Sequence, residues 1–304
     1  MAQQIPLFDG RILDFTNGPL VMGVINCTPD SFYASSRAEE TSQAVRIARK
    51  MISEGASILD IGGESTRPGS EPVDVDIEKS RVVPVISAIR DVSDVPISID
   101  TRKAAVAKAA LEAGADIIND VSALRDDSDM LSLAVESGAP VVLMHMLGDP
   151  KTMQNRPSYS DAVREILHFL ITRANEVIRA GIDGSKIILD PGIGFGKRLE
   201  DNLRLIADLP AFAAPGYPVL VGASRKSFIA HVLRRYTDAE HADSPSAAEV
   251  PPERRLAGSL AVHVVAALKG ASILRVHDVG ETTDAVRMVR AITTVARTTI
   301  KGEA

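Results

Sequence analysis

Asp190 ends an apolar run, Ile187-Ile188-Leu189, and is followed by Pro191, Gly192, Gly194 and Gly196 before Lys197. The run reads as a buried strand, and a charge placed where such a strand stops is costly unless something pairs with it. Glycines just beyond it let the backbone turn sharply and come close to a ligand. Alone, the pattern also fits an ordinary strand-to-helix turn in which Asp190 holds a loop. It recurs, however. Other apolar runs end on Asn26, Asp100, Asn119 and His145, one carries Asp60, and two more are followed by Lys226 and Arg275. Asp100, Asn119 and Asp190 are two acids and an amide that suit a flat, nitrogen-rich heterocycle, because a carboxylate takes two N–H groups as a bidentate pair. Lys226 could take up charge from a ring carbonyl on the same rim, or it could be a solvated lysine that starts a helix. Asn26, Arg275 and His277 offer an amide, a cation and an imidazole, which together make an anion site, most simply for phosphate. Asn26 could instead ligate a magnesium ion that bridges phosphate oxygens.

These residues need elements to hold them. Apolar runs at 20–25, 57–61, 96–99, 116–118, 140–144, 187–189, 217–221 and 272–274 read as strands. Helical spacing follows each one: 41–54, 77–89, 103–113, 129–136, 161–179, 202–209, a pair at 228–235 and 254–268, and a last helix at 282–295. Alternating units of this kind imply a parallel sheet, and eight of them imply an α/β fold of the closed (β/α)8 type, the TIM barrel. In that fold function lies at the C-terminal ends of the strands, where the polar residues above stand. The chain is expected to be one barrel domain over 1–304. Residues 1–19, with Asp9-Gly10 between apolar runs, read as an N-terminal hairpin cap. Residues 237–252, rich in Ala, Asp, Glu, Ser and Pro, read as a mobile insertion in the helix after strand seven. The long loops at 27–40 and 62–76 are candidate lids or second-substrate contacts.

Composition narrows the partners. The 304 residues are 45% hydrophobic and 24% charged, as in a globular protein of ordinary core size. A net charge of -6, no Trp and only 4% aromatic residues argue against nucleic acid, so any anion site must be local. The one cysteine, Cys27, allows no internal disulfide and reads as an inert buried thiol. With no signal pattern at the N-terminus and no apolar run of membrane-spanning length, a cytoplasmic location is expected. There is no Walker-type loop, the glycines at 192, 194 and 196 have the wrong spacing for a dinucleotide fingerprint, and the six histidines lack zinc spacing. His145 is expected to be a packed polar residue.

Seven segments taken together resemble the dihydropteroate synthases. They are Val21-Met-Gly-Val-Ile-Asn26-Cys-Thr-Pro-Asp-Ser-Phe32, Asp60-Ile-Gly-Gly-Glu-Ser-Thr-Arg67-Pro-Gly69, Ser98-Ile-Asp100-Thr, Ile118-Asn119-Asp120, Leu189-Asp190-Pro-Gly-Ile-Gly-Phe-Gly-Lys197, Gly222-Ala-Ser-Arg-Lys226-Ser227 and Arg275-Val-His277-Asp278. They stand in the family's order over nearly the whole chain. The resemblance implies a TIM barrel, usually a homodimer, that condenses 6-hydroxymethyl-7,8-dihydropterin diphosphate with 4-aminobenzoate and releases diphosphate, with Mg2+. It implies that Asp100, Asn119, Asp190 and Lys226 hold the pterin, with Asp100, Asp190 and Lys226 catalytic. By the same resemblance Asn26, Arg275 and His277 hold the diphosphate, with Asn26 on the metal. Phe32, Thr66, Arg67, Pro68, Phe195 and Ser227 fall on the aminobenzoate side, where sulfonamides compete. One departure stands out. Tyr33-Ala34-Ser35-Ser36 replaces the family's usual Ser-Asp-Gly-Gly, so an acid and two glycines are missing from the first loop. Two other readings remain open: a pterin-binding paralogue without catalysis, and a methyltetrahydrofolate-binding methyltransferase, which would not need the diphosphate residues.

Overall fold

The structure, a computed structural model, describes residues 4–28, 37–67, 69–237 and 250–302. Among these described residues ten strands run in chain order: β1 (Gln4–Pro6), β2 (Ile12–Asp14), β3 (Leu20–Asn26), β4 (Ile58–Gly62), β5 (Ile97–Asp100), β6 (Ile117–Asp120), β7 (Val141–Met144), β8 (Ile187–Asp190), β9 (Leu220–Val221) and β10 (Ile273–Val276). The helices that follow β3 to β8 are α1 (Arg37–Ser53), α2 (Val75–Arg90), α3 (Ala104–Glu112), α4 (Met130–Ser137), α5 (Ala162–Ala180) and α6 (Leu199–Ala207), with a short α7 (Pro210–Ala213) before β9. α8 (Ser227–Thr237) and α9 (Leu256–Leu268) are the two expected pieces after β9, and α10 (Val279–Gly302) is the last described element. Most of the expected insertion, 238–249, lies outside the described residues.

β3 to β10 form one parallel sheet in the order β8-β7-β6-β5-β4-β3-β10-β9. It rounds into a nearly closed barrel, with Leu189 of β8 bridging Val219 beside β9. The strands alternate, as period two requires. Ile97 and Ile99 of β5 face the helices in the outer core, while Ser98 and Asp100 face inward by the same alternation. Met22, Ile58, Ile117, Val142, Ile188, Leu220 and Ile273 form the inner floor, and two residues further along most of these strands the inward positions turn polar.

The N-terminal hairpin pairs Pro6 with Ile12 and Gln4 with Asp14. It is a plug rather than a separate lid. Its Ile5, Leu7 and Leu13 belong to the same apolar cluster as the inner floor. Arg11 ties it down through Asp116, which also takes Arg90 Nη2 at 2.8 Å. The barrel is therefore filled at its N-terminal end, and its polar inward residues stand at the C-terminal mouth.

Several helix ends follow local chemistry. Asp161 caps α5 by accepting from Arg164 N at 3.1 Å, and Gly181 ends it with φ +119°. α6 starts at Leu199, ahead of its apolar stripe, because Asp201 accepts from Arg198 N at 2.9 Å. α10 extends beyond the expected 282–295 at both ends.

Candidate functional site

The inward alternation sets Asp60, Asp100, Asn119, Asp190 and Arg275 inside the mouth. Arg275 bridges two strands' acids. Its Nε donates to Asp60 Oδ2 at 2.6 Å, and its Nη2 donates to Asp100 Oδ2 at 2.6 Å. Asn119 Nδ2 lies 3.2 and 3.4 Å from the two carboxylate oxygens of Asp60. Asp60 is 0% exposed, whereas Asp100, Asp190 and Asn119 keep 4–6%, so Asp60 lies beneath and the others form the ligand-facing layer. Among the described residues, buried Asp100 Oδ1 has no hydrogen-bond partner. Burial pushes the Asp100 carboxyl up to about 7, against the pull of Arg275, and Asp60 adds to the rise. The same two carboxylates hold the Arg275 guanidinium firmly charged against the cost of its burial. Asp60 had no assigned role in the sequence reading. Its signal was its place inside a strand two residues before Gly62, the inward parity of a barrel strand.

The loop after β8 is shaped by glycine. At Gly192, with φ +67°, a Cβ would lie 2.0 Å from the carbonyl oxygen of His145. Gly192 N donates to Asp190 Oδ1 at 2.6 Å. Burial raises the Asp190 carboxyl, while that N–H and the charges of Lys226 and Lys197 oppose the rise. At Gly194 a Cβ would meet Lys226 Cδ at 2.9 Å, so the bare backbone makes room for the lysine stem. Lys226 Nζ donates to Ile193 O and sits 4.3 Å from the Phe195 ring centroid. Burial lowers Lys226 to about 7, although Asp190 works the other way.

Lys226 follows Arg225, which takes φ +57° and is held on every side. Arg225 N donates to Ser259 Oγ at 2.9 Å, its carbonyl accepts from Arg255 Nη1 at 2.8 Å, and its Nε donates to Asp278 Oδ2 at 2.9 Å. The Arg225–Asp278 pair thus locks the loop carrying Lys226 to the loop carrying His277. His277 Nδ1 is 3.1 Å from Ser224 Oγ. Burial and the charge of Arg275 lower it to about 4, so the ring is neutral near pH 7. Asn26 is half-buried at the inward end of β3. The structure therefore seats Arg275 with the pterin-side acids and leaves His277 and Asn26 on neighbouring strand ends.

Thr66 is half-buried, Arg67 and Ser227 are exposed, and Phe195 is half-buried. Phe32 and Pro68, and the departing segment Tyr33–Ser36, lie outside the described residues. The second loop is anchored by Glu64. Its carboxylate accepts from Val73 N at 2.7 Å, Arg102 Nη2 at 2.7 Å and Lys103 Nζ at 2.5 Å. Lys103 also reaches buried Glu78, which accepts from Thr101 Oγ1 at 2.7 Å beside Asp100.

Two residues behind the site act as packing, one of them unforeseen. His145 stacks edge-on to Phe169 with centroids 5.0 Å apart, and burial pushes it down to about 3, so it is a neutral packed ring as expected. Lys197 donates to His145 O at 3.2 Å and Phe195 O at 2.9 Å and lies 3.1 Å from His145 Nδ1. This buried ammonium, lowered to about 7 by burial, clasps the end of β7 to the glycine loop. Cys27 is buried and pushed up to about 12, an inert thiol. Among the described residues no cluster of three His, Cys, Asp or Glu could hold a metal ion, and no helix is long and apolar enough to cross a membrane.

A family model described as pterin binding enzyme matches residues 22–277. The dihydropteroate synthase of Escherichia coli K12 is 45% identical over 282 residues, covering 93% of this chain and 94% of that protein. The Bacillus subtilis protein of the same name is 43% identical over 282 residues, covering 92% and 90%. Among solved structures, a Yersinia pestis dihydropteroate synthase with a sulfonamide drug superposes with a TM-score of 0.86 at 42% identity, covering 96% of this chain and 99% of that one. A Xanthomonas albilineans dihydropteroate synthase in complex with 7,8-dihydropteroate superposes with a TM-score of 0.81 at 40% identity, covering 95% and 99%.

Proposed function

This chain belongs to the pterin-binding enzymes and catalyses the dihydropteroate synthase reaction, and we infer that the polar layer inside its barrel mouth carries it out. The reaction joins 6-hydroxymethyl-7,8-dihydropterin diphosphate to 4-aminobenzoate and releases diphosphate. The single observation behind the assignment of the pocket is the buried Asp100 Oδ1, without a partner among the described residues and level with Asn119 in strand register. A buried acceptor left without a donor is expensive. The amino and ring N–H groups of a pterin would supply such donors.

In the proposed sequence the C–O bond to the pterin methylene breaks and its electron pair leaves with the diphosphate. The carbon left behind is cationic, with its charge spread into the dihydropterin ring. Asp100 and Asp190, ionised in a water-poor pocket, stabilise that charge. Arg275 and Lys226 neutralise the departing diphosphate, while His277 and Asn26 hydrogen-bond it. The aniline nitrogen then attacks with its lone pair, the C–N bond forms, and the nitrogen loses its proton to solvent or diphosphate. Thr66, Arg67, Phe195 and Ser227, with Phe32 and Pro68 of the undescribed segments, would receive the aminobenzoate. Asn26 offers one neutral oxygen at the mouth, which fits a Mg2+ that takes most of its ligands from diphosphate and water. Such an ion would supply charge neutralisation of the leaving group.

We also propose a homodimer. Met288, Ile292 and Val295 form an exposed stripe on α10, and Val265 and Leu268 are exposed on α9, which packs against it. Such an apolar face suits a second copy of the chain. A cytoplasmic location agrees with the single, buried cysteine.

The deciding experiment is diphosphate release by purified protein given the pterin diphosphate, magnesium and 4-aminobenzoate. Release that requires aminobenzoate and is blocked by a sulfonamide is expected. Pterin binding without any release would instead mean a pocket without chemistry.

A further inference from the structure

Asp60 touches two residues of the pterin-side layer and is itself wholly buried. It lies in the middle of β4, with Arg275 Nε at 2.6 Å and Asn119 Nδ2 at 3.2 Å. A carboxylate only accepts, and the guanidinium only donates. The Asn119 amide must therefore turn its NH2 group toward Asp60, and its carbonyl oxygen is left for the pocket. Among the described residues that oxygen accepts no hydrogen bond from the protein. Asp100 Oδ1, the Asn119 oxygen and the carboxylate of Asp190 are then three acceptors of that layer.

We propose that Asp60 is a positioning residue that sets the hydrogen-bond polarity of Asn119 and anchors Arg275, so that the pocket selects a heterocycle edge rich in N–H donors. This rests on the pterin reading above. A pterin presents a 2-amino donor on that edge. A lumazine carries a carbonyl in its place and a proton on N1, so it is position 2 itself that presents an acceptor to those acceptors.

The isosteric change Asp60→Asn tests it. Arg275 Nε can only donate, so it claims the new amide's oxygen. The new NH2 then faces Asn119, which must turn over and show its own NH2 to the pocket. Calorimetric affinities for 6-hydroxymethylpterin and 6-hydroxymethyllumazine are measured on wild type and variant, with circular dichroism as the folding control. Wild type is expected to prefer the pterin, and the variant to lose about tenfold or more of that preference, the scale of one mispaired hydrogen bond. An unchanged ratio, whether both affinities hold or both fall together, overturns the positioning role, because a merely structural residue would weaken both ligands alike. Wild type that binds neither compound overturns the pterin reading itself. If the variant does not fold, hydrogen exchange at the 15N-labelled Asn119 side chain of wild type decides. One slowly exchanging Nδ2 proton supports the bond to Asp60, and two protons exchanging as in a free amide overturn it.

Discussion

Asp100 and Lys226 face the same pocket with opposite charges and are both moved toward neutrality by burial. The signs make a testable profile. Asp100, raised to about 7, loses its charge as pH falls through that value, and with it the stabilisation of a cationic carbon. Lys226, lowered to about 7, loses its charge as pH rises, and with it a partner for diphosphate. The kcat/KM for the pterin diphosphate, which reports the free enzyme, should therefore peak near neutrality and fall on both sides. Asp100→Asn should remove the acid limb and cost about two to three decades of kcat/KM, the usual effect of one such charge contact. An acid limb that persists in this variant would move the group elsewhere. Gly192 makes a different demand. Its missing Cβ leaves space for the His145 carbonyl, and its N–H holds Asp190. Gly192→Ala should cost about 3 kcal/mol or more through the positive φ and the clash, and thermal unfolding would read it.

At the scale of elements, the site depends on how loops are tied to their neighbours. Glu64 fastens the loop after β4 to the start of α3 through Arg102 and Lys103, and takes Val73 N from its own loop. Burial would raise its carboxyl, but these donors hold it below the usual range. Glu64→Gln leaves the pterin layer intact and loosens the loop bearing Thr66 and Arg67. The KM for 4-aminobenzoate should rise about tenfold, the scale of one weakened charged hydrogen bond, with kcat at saturation kept. A fall in kcat alone would mean that the loop serves chemistry and not binding. The Arg225–Asp278 pair does for the last two loops what Glu64 does for the second.

Over the whole molecule, the two ends of the barrel have separate duties. The N-terminal end is filled by the hairpin and an apolar floor, and the mouth holds the charges. Leu13 is 1% exposed within that floor. Leu13→Ala should lower stability by about 3 kcal/mol, as buried leucine truncations do, while KM for both substrates stays unchanged. A changed KM would mean that the floor transmits to the mouth. The exposed stripe of α10 belongs to this scale too. In the homodimer proposed above, Ile292→Lys should leave only monomer in light scattering, and a dimer that persists would place the interface on another face.

The sequence alone carried the alternation of strand and helix, the count of eight, and the polar residue at the end of most strands. Those features follow from local periods, 2 for strands and 3.6 for helices, and both can be read along a chain. Asp100, Asn119, Asp190 and Lys226 could be named from them, and they lie at or shortly after strand ends. The role of Asp60 could not be named, because it depends on which neighbour each strand meets in register. Val24 pairs with Asp60, Asp60 with Ser98, and Arg275 with Met22 across the β10–β3 seam. Only barrel closure brings residues 60 and 275, 215 positions apart, within one hydrogen bond. For the same reason Arg275 was legible as a cation but not as the partner of two acids. The hairpin was legible as a hairpin but not as the floor's plug, since its apolar face gains meaning only from the ring of residues that it covers.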